Sequence, residues 1–272
     1  MIKRDLALGF IGAGNMAEAI GRGILAANIY RAEQMLAADP NPQRRSLFAD
    51  QLHISALPDS AAVAQRCQAI LLAVKPQMIG PVLEQLRPAV SPDVLVISIV
   101  AAVSTDFISR HLQPSTRVVR VMPNTPMLVG AGTSALAPGK SATDADMTLA
   151  IKIFGSCGMV LQIHESAMNA VTSLSGSGPA YVFYLCEALA HAGEQLGLSP
   201  VDAQLLARQT IIGAGTLLAK SSESATLLRQ KVTSPGGFTQ AAIETMEAAN
   251  YFALITSALQ AAARRGDVLA QK

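Results

Sequence analysis

Apolar residues in the first 164 positions gather into short unbroken runs instead of alternating with polar ones. LALGFI (6–11), MLAA (35–38), AILLAV (69–74), VLVISIV (94–100) and RVVRVM (117–122) punctuate this half, and helix-compatible segments separate most of them. A strand apolar along its whole length is covered on both faces, so strands alternating with helices predict a parallel sheet between helical layers. Two further runs, TSALA (133–137) and MVLQI (159–163), read as extensions of that sheet. Beyond 164 the runs stop, and Ala, Leu, Glu and Gln dominate. Pro179 and Pro200 suit first helical positions, and Gly197 suits a helix end. Ser199 with Asp202 reads as a capping box for the helix that follows. The pattern predicts an α/β domain over 1–163 and an all-helical domain over 164–272.

Composition narrows the function classes. Half of the 272 residues are apolar, 15% are charged and the net charge is +2, which favours a well-buried globular chain. No basic run exceeds pairs such as Arg44-Arg45 and Arg264-Arg265, so nucleic acid is not an expected partner. Cys67, Cys157 and Cys186 are far apart and odd in number, without CxxC spacing, which predicts a reducing compartment, the cytoplasm. His53, His111, His164 and His191 are scattered, and no metal site is expected. Lys3-Arg4 ahead of LALGFIGAG looks like a secretory leader, but Asn15 and Glu18 interrupt the apolar stretch. The longest apolar run, VLVISIVAAV (94–103), is too short for a membrane span.

The glycines after the first strand have their own chemistry. Gly12-Ala13-Gly14-Asn15-Met16-Ala17 is GxGxxA between a strand and a helix whose Met16, Ile20 and Ile24 recur every four residues. Gly12 allows the tight turn, Gly14 lets a pyrophosphate approach the backbone, and Ala17 permits close helix–strand packing. Ile11 through Met16 are therefore expected to bind a dinucleotide, in a Rossmann-type domain. Asp39 follows the second run, where an acid bonds a ribose 2′-hydroxyl; Arg44 and Arg45 just beyond suit a 2′-phosphate instead. Asp39-Pro40-Asn41-Pro42 also reads as a plain turn, and NADH and NADPH both stay open. Ligands bind at the carboxyl ends of parallel strands, so Ala73-Val74-Lys75-Pro76, Val100-Ala101-Ala102 and Met122-Pro123-Asn124-Thr125-Pro126 should line the cofactor cleft. Lys75 reads as a solvated amine beside a backbone-shaping Pro76. Asn124 either bonds the nicotinamide carboxamide or closes an Asx turn. Ser177 and Gly178 either shape the helix start before Pro179 or touch the cofactor.

The stretch VTSPGGFTQAAIETME (232–247) sets Ser234, Gly236, Gly237 and Thr239 just before a helical segment. A Gly-Gly turn entering a helix exposes N–H groups that can bind an anion such as a carboxylate. Thr239 adds a hydroxyl there and also suits a helix N-cap. A cofactor site and a carboxylate site together suggest hydride transfer to or from a small acid.

GFIGAGNMAEAI (9–20), AVKPQ (73–77), RVMPNTP (120–126), SLSGSGPAYVF (173–183) and VTSPGGFT (232–239) together resemble the pyrroline-5-carboxylate reductase family, in that family's order and across nearly the whole chain. The resemblance implies a Rossmann domain followed by a helical dimerisation domain. It implies reduction of the cyclic imine 1-pyrroline-5-carboxylate to L-proline, the last step of proline synthesis, with NADPH, or NADH, as cofactor. It assigns the substrate carboxylate to Ser234, Gly236 and Gly237, the neighbourhood of the imine nitrogen to Thr239, a substrate-site role to Glu165, and cofactor contacts to Ser60 and to Ala73, Val74, Lys75 and Pro76. It also implies a dimer of interlocked helical domains that can assemble further into a decamer. Three positions depart from the family: Asn169 replaces an aspartate, Phe238 occupies a small or polar position, and Ala248-Ala249-Asn250 replaces a Gly-Gly turn. Asn250 can still serve as a left-handed cap.

Hydride transfer to a C=N carbon is easiest when the nitrogen is protonated, and the imine is basic enough to take that proton from water. No strong acid–base side chain is therefore required, and the task is to position the substrate and complement its charge. Two other readings compete. A β-hydroxyacid dehydrogenase would use a lysine after a glycine motif, and 173–196 contains none. A non-catalytic dinucleotide sensor would keep the cofactor loop without turnover.

Overall fold

A computed structural model describes residues 5–270. Eight strands form one sheet: β1 (Leu6–Ile11), β2 (Met35–Ala38), β3 (Ser55–Leu57), β4 (Cys67–Leu72), β5 (Leu95–Ser98), β6 (Arg117–Met122), β7 (Gly132–Pro138) and β8 (Gly158–Gln162). Their order is β3-β2-β1-β4-β5-β6-β7-β8, and every neighbouring pair is parallel except β6 with β7. The seven runs read from the sequence are strands. The three-residue β3 was not anticipated: SAL at a sheet edge is too short and too mixed to stand out. AILLAV also starts and stops two residues early, because Ala73 and Val74 leave the strand to build the loop above it.

The helices on this sheet are α1 (Asn15–Ala26), α2 (Pro42–Leu52), α3 (Ser60–Arg66), α4 (Ile79–Leu86), α5 (Thr105–His111) and α6 (Asp144–Gly155). Successive strand residues face opposite layers. In β4, Ala69 and Leu71 pack with one layer beside Phe10 and Phe48, whereas Ile70 and Leu72 pack with the other beside Val63 and Leu83. Burial on both faces is why the strands read as unbroken apolar runs. The two arginines of β6 find carboxylates: Arg117 Nη1 lies 2.7 Å from Asp146 Oδ1 and Arg120 Nη1 lies 3.2 Å from Glu165 Oε1.

After the sheet come α7 (Met168–Val171), a π-helical turn (Thr172–Gly176), α8 (Gly178–Gln195), α9 (Pro200–Lys220), α10 (Ala225–Lys231), α11 (Phe238–Ala248) and α12 (Tyr251–Ala270). Contacts gather the described residues into one unit that runs through Gly176 and includes the chain from Ala263, and a second, Ser177–Ala262. In the second unit α8 and α9 pack as a hairpin. Gly197 is left-handed at φ +95° and ends α8, and Ser199 Oγ accepts from the Asp202 N–H at 3.2 Å to start α9. Asp202 does not complete the expected box; its carboxylate accepts from the Ser199 hydroxyl instead. Asn250, at φ +54°, is the left-handed link between α11 and α12.

Candidate active site

The strand order reverses between β1 and β4, so a crevice opens above their carboxyl ends. The Gly12 N–H donates to the Ala38 carbonyl at 2.8 Å, and the Ala73 N–H donates to the Ile11 carbonyl at 2.8 Å. Gly12 is left-handed at φ +95°, and a Cβ there would lie 2.8 Å from the Ala73 oxygen. Gly14 is the N-cap of α1, without a side-chain cap, and a Cβ built on it meets nothing within 4 Å. Open space above an uncapped helix N-terminus suits a pyrophosphate. Ile11, Ala13 and Ala17 are fully buried below it. Asn15 and Met16 begin the helix.

Asp39 sits beside this loop with both carboxylate oxygens occupied. Oδ2 accepts from the Ala13 N–H at 2.8 Å and Oδ1 from the Asn41 N–H at 2.9 Å. The second bond makes the plain turn read from DPNP an Asx turn, and the first ties that turn to the glycine loop. Arg44 donates from Nε to the Ala13 carbonyl at 2.5 Å and from Nη2 to Glu18 at 3.0 Å, and Arg45 donates to the carbonyls of Asp39 and Pro40. Burial raises the Glu18 carboxyl, but the hydrogen bonds and charges of Arg22 and Arg44 outweigh it and hold the group below its ordinary value.

The other strand ends line the same edge. Lys75 is exposed and precedes a short turn at Pro76–Met78. Ser60 opens α3 behind Asp59, whose carboxylate caps the Ala61 and Ala62 N–H groups. Ala101 is half-buried, and Ala102 beside it is left-handed at φ +61°. Asn124 is 9% exposed; its Nδ2 donates to the Ser175 carbonyl at 3.0 Å and its Oδ1 accepts from the Thr133 N–H at 2.8 Å. The amide thus ties the β6 end to the π-helical turn. Ser177 is the N-cap of α8 and makes no side-chain cap bond.

Glu165 opens a short turn (Glu165–Ala167) after β8. It lines a cavity of about 980 Å³ together with Pro76, Ala101, Ala102 and Arg120. Its carboxylate accepts from the Thr105 N–H at 2.8 Å, the Thr105 hydroxyl at 2.6 Å and Arg120. Sequence reading missed Thr105 and Arg120. The available signal was a charged residue inside the otherwise apolar run RVVRVM, because a buried charge requires a partner.

In the helical unit, Gly236 is left-handed at φ +70°, and Gly237 is the N-cap of α11, whose first turn holds no acid. The Gly237 N–H donates to the Ser234 carbonyl at 3.0 Å, and the Gly236 N–H donates to Gln240 Oε1 at 2.7 Å. Thr239 is exposed and is the second residue of the helix, so it is not the N-cap; the cap position falls to Gly237 because the turn closes two residues earlier. Phe238, the first helical residue, is 98% exposed. The N-cap of α11 provides no side-chain acceptor, which leaves the dipole end of the helix suited to a carboxylate, whereas the Gly236 and Gly237 N–H groups are already bonded within the turn. Among the described residues no three His, Cys, Asp or Glu side chains cluster as metal ligands, and no helix is long and apolar enough to cross a membrane.

Comparison with known proteins places these features in context. Residues 165–269 match the family model for pyrroline-5-carboxylate reductase dimerisation, and residues 7–102 match that for NADP oxidoreductase, coenzyme F420-dependent. The chain is 39% identical to the pyrroline-5-carboxylate reductase of Synechocystis over 98% of its length and all of the relative's. It superposes on a pyrroline-5-carboxylate reductase from Coxiella burnetii with TM-score 0.91 and 36% identity, covering 98% of this chain and 100% of that one. The Plasmodium falciparum pyrroline carboxylate reductase, solved with NADP bound, gives TM-score 0.86 and 31% identity over 98% and 99% of the two chains.

Proposed function

The chain belongs to the pyrroline-5-carboxylate reductase family and is an oxidoreductase that reduces 1-pyrroline-5-carboxylate to L-proline, and from that premise we propose how its residues divide the work. What carries the reading is full-length identity with reductases, 98% of this chain against all of the Synechocystis protein, which includes both the cofactor loop and the Ser-Pro-Gly-Gly turn.

The residues at the β1–β4 crevice fit a nicotinamide dinucleotide. The loop Ile11–Met16 takes the pyrophosphate, Asp39 and Arg44 face the adenosine ribose, and Ser60, Ala73, Val74, Lys75, Pro76, Ala101, Asn124 and Ser177 complete the cofactor set. NADPH is the proposed cofactor, with NADH accepted; the match to an NADP oxidoreductase model and to a reductase solved with NADP bound supports the phosphate-bearing form. The nicotinamide supplies hydride to C5 of the cyclic imine. Ser234, Gly236 and Gly237 hold the substrate carboxylate, Thr239 bonds the ring nitrogen, and Glu165 completes the substrate site. With the proton taken from water, the protein's contribution is orientation and charge complementarity.

The proposed assembly is a homodimer through the helical unit, with a decamer above it. The proposed location is the cytoplasm, in keeping with three cysteines that are far apart in the chain and odd in number. The test is oxidation of NADPH and of NADH in the presence of 1-pyrroline-5-carboxylate. Turnover, faster with NADPH, is the expected result, and no turnover with either cofactor overturns the reading.

A further inference from the structure

The cavity beside β4 and β5 contains a carboxylate that is almost fully committed. A carboxylate offers about four acceptor positions. On Glu165, Oε1 takes the Thr105 N–H at 2.8 Å and Arg120 Nη1 at 3.2 Å, while Oε2 takes the Thr105 hydroxyl at 2.6 Å. Both positions on Oε1 are filled, and Oε2 retains one. The Glu165 side chain is 25% exposed and lines the cavity, whereas its two anchors are nearly buried, Thr105 at 5% and Arg120 at 8%. The anchors come from separate elements, the first residue of α5 and strand β6, so the carboxylate cannot turn without breaking bonds to both. Thr105 also ends the loop that carries Ala101 and the left-handed Ala102.

We propose that Thr105 and Arg120 are positioning residues of this reductase: they hold Glu165 so that Oε2 presents one oriented acceptor to an N–H of the substrate ring. The proposal rests on the reading of Glu165 as a substrate-site residue. The ring nitrogen is the substrate's N–H donor: the protonated imine carries one N–H, and hydride transfer to carbon leaves a secondary amine that still carries it. Arg120 supplies the opposite charge that lets a carboxylate sit in the cavity wall, and Thr105 sets which lone pair remains free.

Steady-state kinetics of the full-length enzyme test this, with 1-pyrroline-5-carboxylate and NADPH varied in turn. Thr105→Val removes one donor and frees the carboxylate to rotate. It is expected to raise the KM for the imine about tenfold, the scale of one hydrogen bond to a charged group, with kcat and the cofactor KM little changed. Thr105→Ser, which keeps the hydroxyl, restores the imine KM. Glu165→Gln raises the imine KM by itself, and the double variant Thr105→Val/Glu165→Gln is no worse than Glu165→Gln alone. Arg120→Lys serves as the same test if Thr105→Val does not fold. A normal imine KM in Thr105→Val beside a raised one in Glu165→Gln overturns the proposal and leaves the substrate role of Glu165 standing. Normal values in both remove that role and the proposal with it. Multiplying effects in the double variant, or a rise confined to the cofactor KM, show Thr105 acting on its own and overturn the proposal as well.

Discussion

A single methyl group tests the glycine loop. Gly12→Ala places a Cβ 2.8 Å from the Ala73 carbonyl at a backbone φ of +95°, so either the loop or β4 must move. Strain of this kind costs about 1–3 kcal/mol, measurable as a lowered denaturant midpoint, and the displaced loop should bind NADPH at least tenfold more weakly in a fluorescence titration. Thr239→Ala removes only a hydroxyl from an exposed helix position that caps nothing. Turnover should fall more than tenfold with an unchanged melting temperature, about 1.4 kcal/mol of lost transition-state contact; near-normal kcat would remove Thr239 from the mechanism. At this scale the sequence was legible where the chemistry is local. The roles of Gly12 and Gly14 follow from two bonds of chain on either side, and the turn at Asp39 from the next three residues, Pro40-Asn41-Pro42. What stayed hidden are bonds across long separations, from Ala13 to Asp39 and from Thr105 to Glu165, which exist only once the sheet brings their strands' ends together.

Strands and helices were legible for a related reason: burial on both faces leaves an unbroken apolar run in β1, β4, β5 and β6, and helix punctuation survives at Pro179, Gly197, Pro200 and Asn250. The edge strand β3 escaped because it is only half covered. The start of α11 was misplaced by two residues because Gly-Gly is permissive: either glycine or the threonine after them can begin a helix, and the left-handed Gly236 decides it. Charge on an element leads to a further prediction at α1. Glu18 bonds Arg22 on its own helix and Arg44 at the start of α2, and the two arginines hold its carboxyl below the usual range against the opposing effect of burial. A carboxyl depressed in the folded state stabilises it fully above the unfolded pKa, and that contribution fades as pH falls through the lower folded value. Wild type should therefore be more stable than Glu18→Gln at pH 7, with the gap closing below about pH 4, as read from urea midpoints across that range. A gap that persists at low pH would mean Glu18 acts through packing instead of charge.

The helical unit buries few of its own apolar side chains. Among the residues of α8 only Ala190 is buried, and in α9 only Ala203 and Ala207, while Phe183 is 62% exposed, Leu205 62% and Phe252 80%. Soluble monomers rarely leave contiguous apolar surface of this kind in water, and burying it returns roughly 25 cal/mol for each square ångström covered. The family resemblance already implied a dimer, and the exposure of these particular side chains adds that the single chain leaves its own apolar pattern unsatisfied. Residues 165–269 match a dimerisation model, and the proposed occupant is a second copy, whose apolar helices would complement these by symmetry. Light scattering at micromolar concentration should give at least twice the chain mass of 28.3 kDa. The melting temperature should rise with protein concentration, because the partner binds only the folded chain. Phe252→Glu would then shift the mass toward the monomer and lower the melting temperature, with NADPH binding retained, since the cofactor residues of the first unit are untouched. A chain that remains monomeric at every concentration, with a melting temperature independent of dilution, would show that the exposed helices meet no second copy.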